Sequence, residues 1–577
     1  MALDRKTSEL PSLIDVDLEN DFFHIVDNSE ADVTLKDKRI TPNAILAKAG
    51  LAVEINNIGI AGEEGFGVGV CPIHLLPDYM VPLPGTYTKG HDNYGNYKVT
   101  TDNSIMVWIP AFYYKIEHNG IDKINVIDIK PFNAFRDTDE AEGQGYQIHR
   151  MFINGGAIKE GVFVDKYDWS LTNVTWDGTT QLTGTASSIK NGNPISSNVG
   201  TKRILNGTQD NYPGSFSNCI SNGQTPSDNY GGAWAAAKSR GDDFFNTSQY
   251  IYKGLALLSL AHGQAVTSTT NCAWYDASGV TNFPKGNNNY GADYNDATCT
   301  FTLPDDDYWG TRNEARKTGS GNVFAKTTHN GQNCGVADLN GNQWKIAQGL
   351  TAIVSTVSIT NAVSTDVNTK VQITAATHGL SVGDWVMIIS VVGMTDINNK
   401  IFKVTDVIDA NNFKIASTTV QTYVSGGTVY KGKFYTFKES VDIATVTGGN
   451  SIDATDHFDD DFILANMDEI VPNFADGGVF GQRFGNGVEQ VIPFNLLRTD
   501  NDYLLSSLCL PDMAGMSIGG SNQFGQDYFY QYLRDELCPL SGGTWSHTSH
   551  AGVFRIDLVS NRTGNYTNMS GRSSLYV

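Results

Sequence analysis

A β-rich α+β fold is predicted for this 577-residue chain by three features of its sequence. Hydrophobic residues make up 40% and charged residues only 18%, which supplies a sizeable core without the long charged faces of helical bundles. Glycine is abundant, and Asn, Thr, Ser and Asp crowd between short apolar runs, the pattern of short strands joined by ordered loops. Only two stretches read as helices of any length. The chain is longer than one core usually supports, so two to four domains are expected.

The formal charge of −22 excludes the basic grooves that nucleic acids and anionic membrane surfaces select. Residues 1–11 lack the apolar core of a signal peptide, and no run approaches the ~20 apolar residues that span a bilayer. A soluble protein made in the cytoplasm is expected. Cys71, Cys219, Cys272, Cys299, Cys334, Cys509 and Cys538 are odd in number and scattered, without a C-x-x-C pair. They read as small buried thiols, with no disulfide framework, metal site or cofactor.

Residues 1–50 are expected to form a small acidic unit of turn, strand, hairpin and short helix. Phe22, Phe23, Ile25, Val26, Val33 and Leu35 provide too little apolar surface for a lone fold, so the unit needs partners. Residues 51–104 read as a Gly/Pro-rich β connector. Its GFGVGV run (65–70) precedes Pro72, Pro77, Pro82 and Pro84 rather than a helix, which favours a glycine-rich strand over a dinucleotide loop.

Residues 105–351 begin with MVWIPAFYYKI (106–116), an aromatic strand with a proline at a bend or edge. GVFVDKYDWSLTN (161–173) is a second strand running into a polar turn. Helices are predicted at 232–240 and 249–261, the second with an apolar face from Tyr252, Leu255, Ala256 and Leu260. In NGQNCGVADLNGNQWKIAQ (330–348), Asn340 and Gly341 suit a tight turn before a strand carrying Trp344 and Ile346.

Residues 352–430 read as an inserted small β-domain, with strands at 371–374, 385–389, 400–407 and 413–415. Removing them joins WKIAQGL to KGKFYTFKES as a hairpin continuation, as expected of insertion at a loop tip. Residues 431–577 then complete the domain begun at 105.

Chemistry-bearing strings are few. GLSVG (379–383) matches a nucleophile elbow, but a strand follows it where a helix is required. His547 and His550 form half a metal shell without an adjacent acid or thiol. Asp305 to Asp307 and Asp459 to Asp461 lack calcium-loop spacing and read as solvated turns. No catalytic or metal residue is assigned.

The blocks MVWIPAFYY, FVDKYDWSLTN, the helix at 254–261, GVADLNGNQW and the terminal GGTW, AGVF and GR resemble the C-type lectin fold. It is the fold of the formylglycine-generating-enzyme superfamily and of phage tropism determinants. The N-terminal S-x-L-P pattern is similar to that of bacteriophage tail-fibre proteins. The resemblance implies a virion tail-fibre or tail-tip adhesin, non-enzymatic and homotrimeric, attached through residues 1–50 to other tail proteins and binding a bacterial surface receptor. A tail glycan depolymerase and a structural baseplate or decoration protein are the alternatives. The superfamily's oxidase activity uses a close cysteine pair, which Cys509 and Cys538 do not form.

In the terminal segment Trp545, Phe554, Gly571 and Arg572 hold a frame. By the same resemblance the receptor contacts fall on Ser546, His547, Thr548, Ser549, His550, Asp557, Asn561, Tyr566 and Asn568. Tyr503, Phe524, Tyr528 and Tyr530 are expected to form an adjoining aromatic platform. Short polar groups mixed with Tyr make adaptable contacts at low entropic cost.

Overall fold

The computed structural model describes residues 23–26, 37–40, 55–119, 124–176, 182–198, 214–219, 227–304, 315–446, 459–484, 494, 497, 499–513, 524 and 526–577. Strand exceeds helix throughout. Of the N-terminal unit, Phe23–Val26 pairs antiparallel with Asp37–Ile40. Its other expected elements, and Asp305 to Asp307, lie outside the described residues.

Two six-stranded sheets organise the body. The first runs Phe245–Asn246, Ser573–Leu575, Gly161–Asp165, Ile105–Pro110, Asn96–Val99, Met80–Pro82. Its Gly161–Asp165 strand is buried at every position, which explains an apolar run without alternation. The predicted single strand at 106–116 is two, Ile105–Pro110 and Phe112–Asn119, which part at Ala111 and join different sheets. The glycine-rich strand expected at 65–70 is instead a turn. Gly65 and Gly67 have φ of +73° and +80°, and a Cβ on Gly67 would stand 2.7 Å from His329 Nε2.

The helix Gln249–Ala265 is buried from Gln249 to Gly263. An apolar face was expected, but an all-round buried helix is found, because Ile124–Pro131 and Gly552–Asp557 pack on it. Ser248 caps it, its hydroxyl accepting from Ile251 N at 3.3 Å. Ser248→Ala is expected to cost about 1 kcal/mol, seen as a lower urea midpoint. The helix predicted at 232–240 is Tyr230–Lys238, capped by Asn229. A short helix, Asp460–Asn466, stands where a solvated acidic turn was predicted: Asp459 accepts from Phe462 N at 2.8 Å, and the acids sit in its first turn.

The frame arginine lies in a buried ionic network. Arg572 donates to Asp168 Oδ1 (2.6 Å) and to the carbonyls of Ala337 (2.7 Å) and Asp165 (3.0 Å). Lys345 Nζ stands 3.2 Å from the other Asp168 oxygen. Arg240 bridges Asp165 at 2.6 Å and Asp102 at 2.7 Å. Segments more than 400 residues apart in sequence are thereby tied together.

From the body, Leu350–Ser358 and Ser425–Phe437 leave and return as one antiparallel ladder, Leu350 opposite Thr436 and Ser358 opposite Thr428. Only Ile359 and Thr360 separate Leu350–Ser358 from Asn361–Thr365, yet these two strands sit at opposite ends of the sheet order. The sheet therefore closes on itself as a small barrel. It has its own core, including Val371, Ile373, Val386, Ile388, Phe402, Phe413 and Ile415. The strands predicted at 371–374, 385–389, 400–407 and 413–415 are observed slightly longer, and Asn361–Thr365 was not predicted.

Candidate functional site

The second sheet carries the candidate site. Its order is Gly481–Arg483, Tyr528–Tyr530, Gly552–Asp557, Leu540–Gly542, Trp344–Ile346, Met569–Ser570. Phe529 pairs with Ile556 and with Gln482, and all three are fully buried. Strand alternation turns their neighbours to the opposite face. Arg483 pairs with Tyr528, and Tyr528 falls level with Arg555, so the three form one row across three strands.

His550 lies on this row, its ring centroid 3.8 Å from that of Tyr528 at an interplanar angle of 29°. The guanidinium of Arg483 stands 5.7 Å from the same ring. Arg555 is only 1% exposed and is caged by Trp344 (4.6 Å), Tyr530 (5.3 Å) and Tyr528 (6.0 Å). It donates to His550 O at 3.0 Å, while its Nε has no hydrogen-bond partner.

The 544–551 turn is built from within and from outside. His547 Nδ1 accepts from Thr544 N (2.9 Å), and the His547 ring meets Trp344 at 5.0 Å. Trp545 N donates to Asn342 O, and Thr548 N to Asn288 O. Gly341 and Asn342, at φ +71° and +60°, take the left-handed backbone, so the turn expected at Asn340 and Gly341 falls one position later. Burial pulls His547 down to about 3 and His550 to about 4, with Arg555 adding to the first and Arg483 and Arg555 to the second.

Seven of the predicted contact residues lie together here, all half-buried: Ser546, His547, Thr548, Ser549, His550, Tyr528 and Tyr530. Asn568 is beside them, its carbonyl accepting from Trp344 N at 2.7 Å. Asp557 shares the face but is buried, its carboxylate held by Val559 N. Asn561 and Tyr566 lie on the following loop, Asn561 bridged to Leu537 and Tyr566 54% exposed.

Two residues of the expected aromatic platform lie elsewhere. Phe524 is a core residue, 1% exposed against Phe283 and Phe554. Tyr503 lies within the helix Asp500–Ser507 and its hydroxyl donates to Ile148 O. Their apolar bodies satisfy the core; Phe524 stands in a polar string that hides this, whereas Tyr503 precedes Leu504 and Leu505. Arg483 and Arg555 were missed. The alternation in GQRF and GVFRID could have revealed them, since each arginine precedes or follows a buried aromatic. The exposed Tyr290, whose N–H donates to Trp545 O, and Tyr294 on the same loop were also missed.

All seven cysteines are free and buried, and burial raises every thiol. Among the described residues no group of His, Cys, Asp or Glu could hold a metal, and no helix is long and apolar enough to cross a membrane.

The model of the ubiquitin-activating enzyme E1 FCCH domain matches residues 367–433. No curated protein matches the chain. The matched residues fall within the barrel and its returning strand. This match overturns the expectations tied to the phage resemblance. The module recognised belongs to an enzyme family of the ubiquitin pathway, not to a virion tail fibre, a tail depolymerase or a baseplate part. The homotrimeric adhesin, the bacterial receptor and tail-protein partners, the virion location and the assignment as a non-enzyme fall with it. The match spans a short part of the 577 residues and identifies a module, not the whole chain.

Proposed function

We propose that the barrel is a protein-docking module of the kind its match names, and that the chain uses it to engage a ubiquitin-like protein. The coincidence of the match at 367–433 with a barrel that has its own core and a two-stranded stalk carries this reading. One end of the barrel offers an apolar patch: Val392, Val420 and Val424 are 52%, 73% and 68% exposed, and Val424 N donates to Val392 O. With every thiol buried, the reading covers recognition and assigns no thioester nucleophile.

Two further proposals accompany it. The Tyr528–His550 region, with residues 546–549, is a ligand-contact face on the body. The body is a C-type-lectin-like domain in two parts, 105–351 and 431–577, interrupted by 352–430 and preceded by a 51–104 connector and an oligomerisation or attachment segment at 1–50. Support for the lectin-like reading comes from Ser573–Leu575 returning between Gly161–Asp165 and Phe245–Asn246 beside the long buried helix.

Isothermal titration of the full chain with ubiquitin tests the docking role. Saturable binding is expected, weakened at least tenfold by Val420→Ser with Val424→Ser, the loss of about 1.4 kcal/mol that two apolar contacts supply. Absence of binding by the unaltered chain, or binding indifferent to both changes, overturns it.

A further inference from the structure

We propose that Val367, at the tip of the barrel hairpin formed by Asn361–Thr365 and Lys370–Thr374, is the anchor of the docking face, an apolar prong that enters an apolar pocket on the ubiquitin-like partner. The inference rests on the docking reading and adds the residue that carries affinity and the chemistry of what receives it.

Asp366, Val367 and Asn368 all take left-handed backbone, at φ of +53°, +55° and +63°. Asp and Asn tolerate that region through their short polar side chains, whereas a β-branched residue there is strained. Nothing in the fold offsets the strain. Val367 is 95% exposed and belongs to neither the barrel core nor the main core. A single exposed valine is ordinary on a protein surface, but one held in strained backbone is not. Its apolar side chain becomes favourable only when another molecule covers it.

The turn is braced from its flanks. Asp366 pairs with Lys414 at 3.0 Å, Thr369 Oγ1 donates to Asp366 O at 2.7 Å, and Ser364 Oγ donates to Asn368 Oδ1 at 3.0 Å. A braced anchor loses little conformational freedom on binding.

Backbone hydrogen bonds join the tip to the apolar patch of Val392, Val420 and Val424. Ser417 N donates to Thr369 O at 3.2 Å, and the loop that follows carries Val420 and returns at Val424, whose N–H donates to Val392 O at 2.9 Å. Within that loop Thr419 Oγ1 donates to Asp396 Oδ2 at 2.9 Å, and Gln421 Oε1 accepts from Asp396 N at 2.9 Å. Hairpin tip, loop and strand end therefore form one connected rim, and Val367 is the most exposed of its four valines. The charges beside the tip are paired within the barrel, Asp366 with Lys414 and Lys370 with Asp406 at 2.7 Å. A branched apolar prong flanked by paired charges suits a hydrocarbon pocket and not a charged groove.

Titration calorimetry of the full chain with ubiquitin, alongside urea unfolding, tests the anchor. Val367→Asn places at the tip a residue that tolerates left-handed backbone, so it is expected to raise the urea midpoint while weakening binding at least tenfold. Val367→Ile keeps the branched apolar shape and is expected to bind as the unaltered chain does. Affinity should change by less than about threefold between about 0.1 and about 0.5 M salt. If Val367→Asn binds like the unaltered chain while Val420→Ser with Val424→Ser weakens binding, the anchor is overturned and the docking reading stands. A midpoint lowered by Val367→Asn would mean that the valine supports the fold, and a steep loss of affinity with salt would mean that charges carry the contact; either result overturns the inference. No binding by the unaltered chain would overturn the docking reading and the anchor with it.

Discussion

Arg572→Met is expected to lower the free energy of unfolding by about 3–5 kcal/mol, the range for removing one partner from a buried ion pair. The side chain is fully buried and satisfies three acceptors that have no route to water: Asp168 Oδ1 and the carbonyls of Asp165 and Ala337. Methionine fills much of the volume, so the loss measures the stranded charge more than a cavity. Asp168 would retain Lys345, while Asp338, which burial and Asp168 push up to about 6, would lose the Arg572 charge that opposes that rise. Arg572→Lys keeps the charge but not the fork, and should fall between the two. Urea unfolding at pH 7 reads both. A loss under 1 kcal/mol for Arg572→Met would show that the network relaxes around the substitution.

What sequence made legible was set by local chemistry. The barrel strands emerge from alternation and turn residues such as Asn411 and Asn412, where side-chain period and backbone geometry agree over a few residues. The two main helices emerge from their Ala- and Leu-rich apolar content and the absence of proline. The closure of the barrel does not, since it depends on Ile359 and Thr360 letting one stretch of chain serve both edges of the sheet. The contact turn at 546–550 was legible as a polar run within an aromatic frame. Arg483 and Arg555 were not, because their significance lies in a register between strands about 45 and 27 residues apart, which no local pattern records. Phe524 failed for the converse reason: polar neighbours in sequence, apolar neighbours in space.

That dependence on long-range burial also sets the response to acid. His149, His262 and His329 are each wholly or nearly buried, and burial pulls them down to about 3, about 4 and about 3. Each uses Nδ1 as an acceptor for a backbone N–H, of Met151, Gly62 and Val336 respectively. Protonation would set a donor against a donor as well as burying a charge. The unfolded chain titrates these rings near 6.5, so between that value and the folded ones it binds more protons, and stability falls as pH falls. At pH 5 each ring costs about 2 kcal/mol relative to pH 7, and the three together about 6 kcal/mol. Asp527 and Asp338, raised by burial to about 7 and about 6, act oppositely: the folded state holds their protons, so they gain stability over the same interval, by about 4 kcal/mol together at pH 5. Acid therefore acts on the fold through opposing terms of similar size, and single variants separate them. The penalty of His329→Gln, measured by urea unfolding, is expected to shrink by about 2 kcal/mol between pH 7 and pH 5, because the variant no longer bears the cost of keeping that ring neutral. The penalty of Asp527→Asn is expected to grow over the same interval. Parallel pH profiles for wild type and both variants would mean that neither group titrates differently in the folded and unfolded chain.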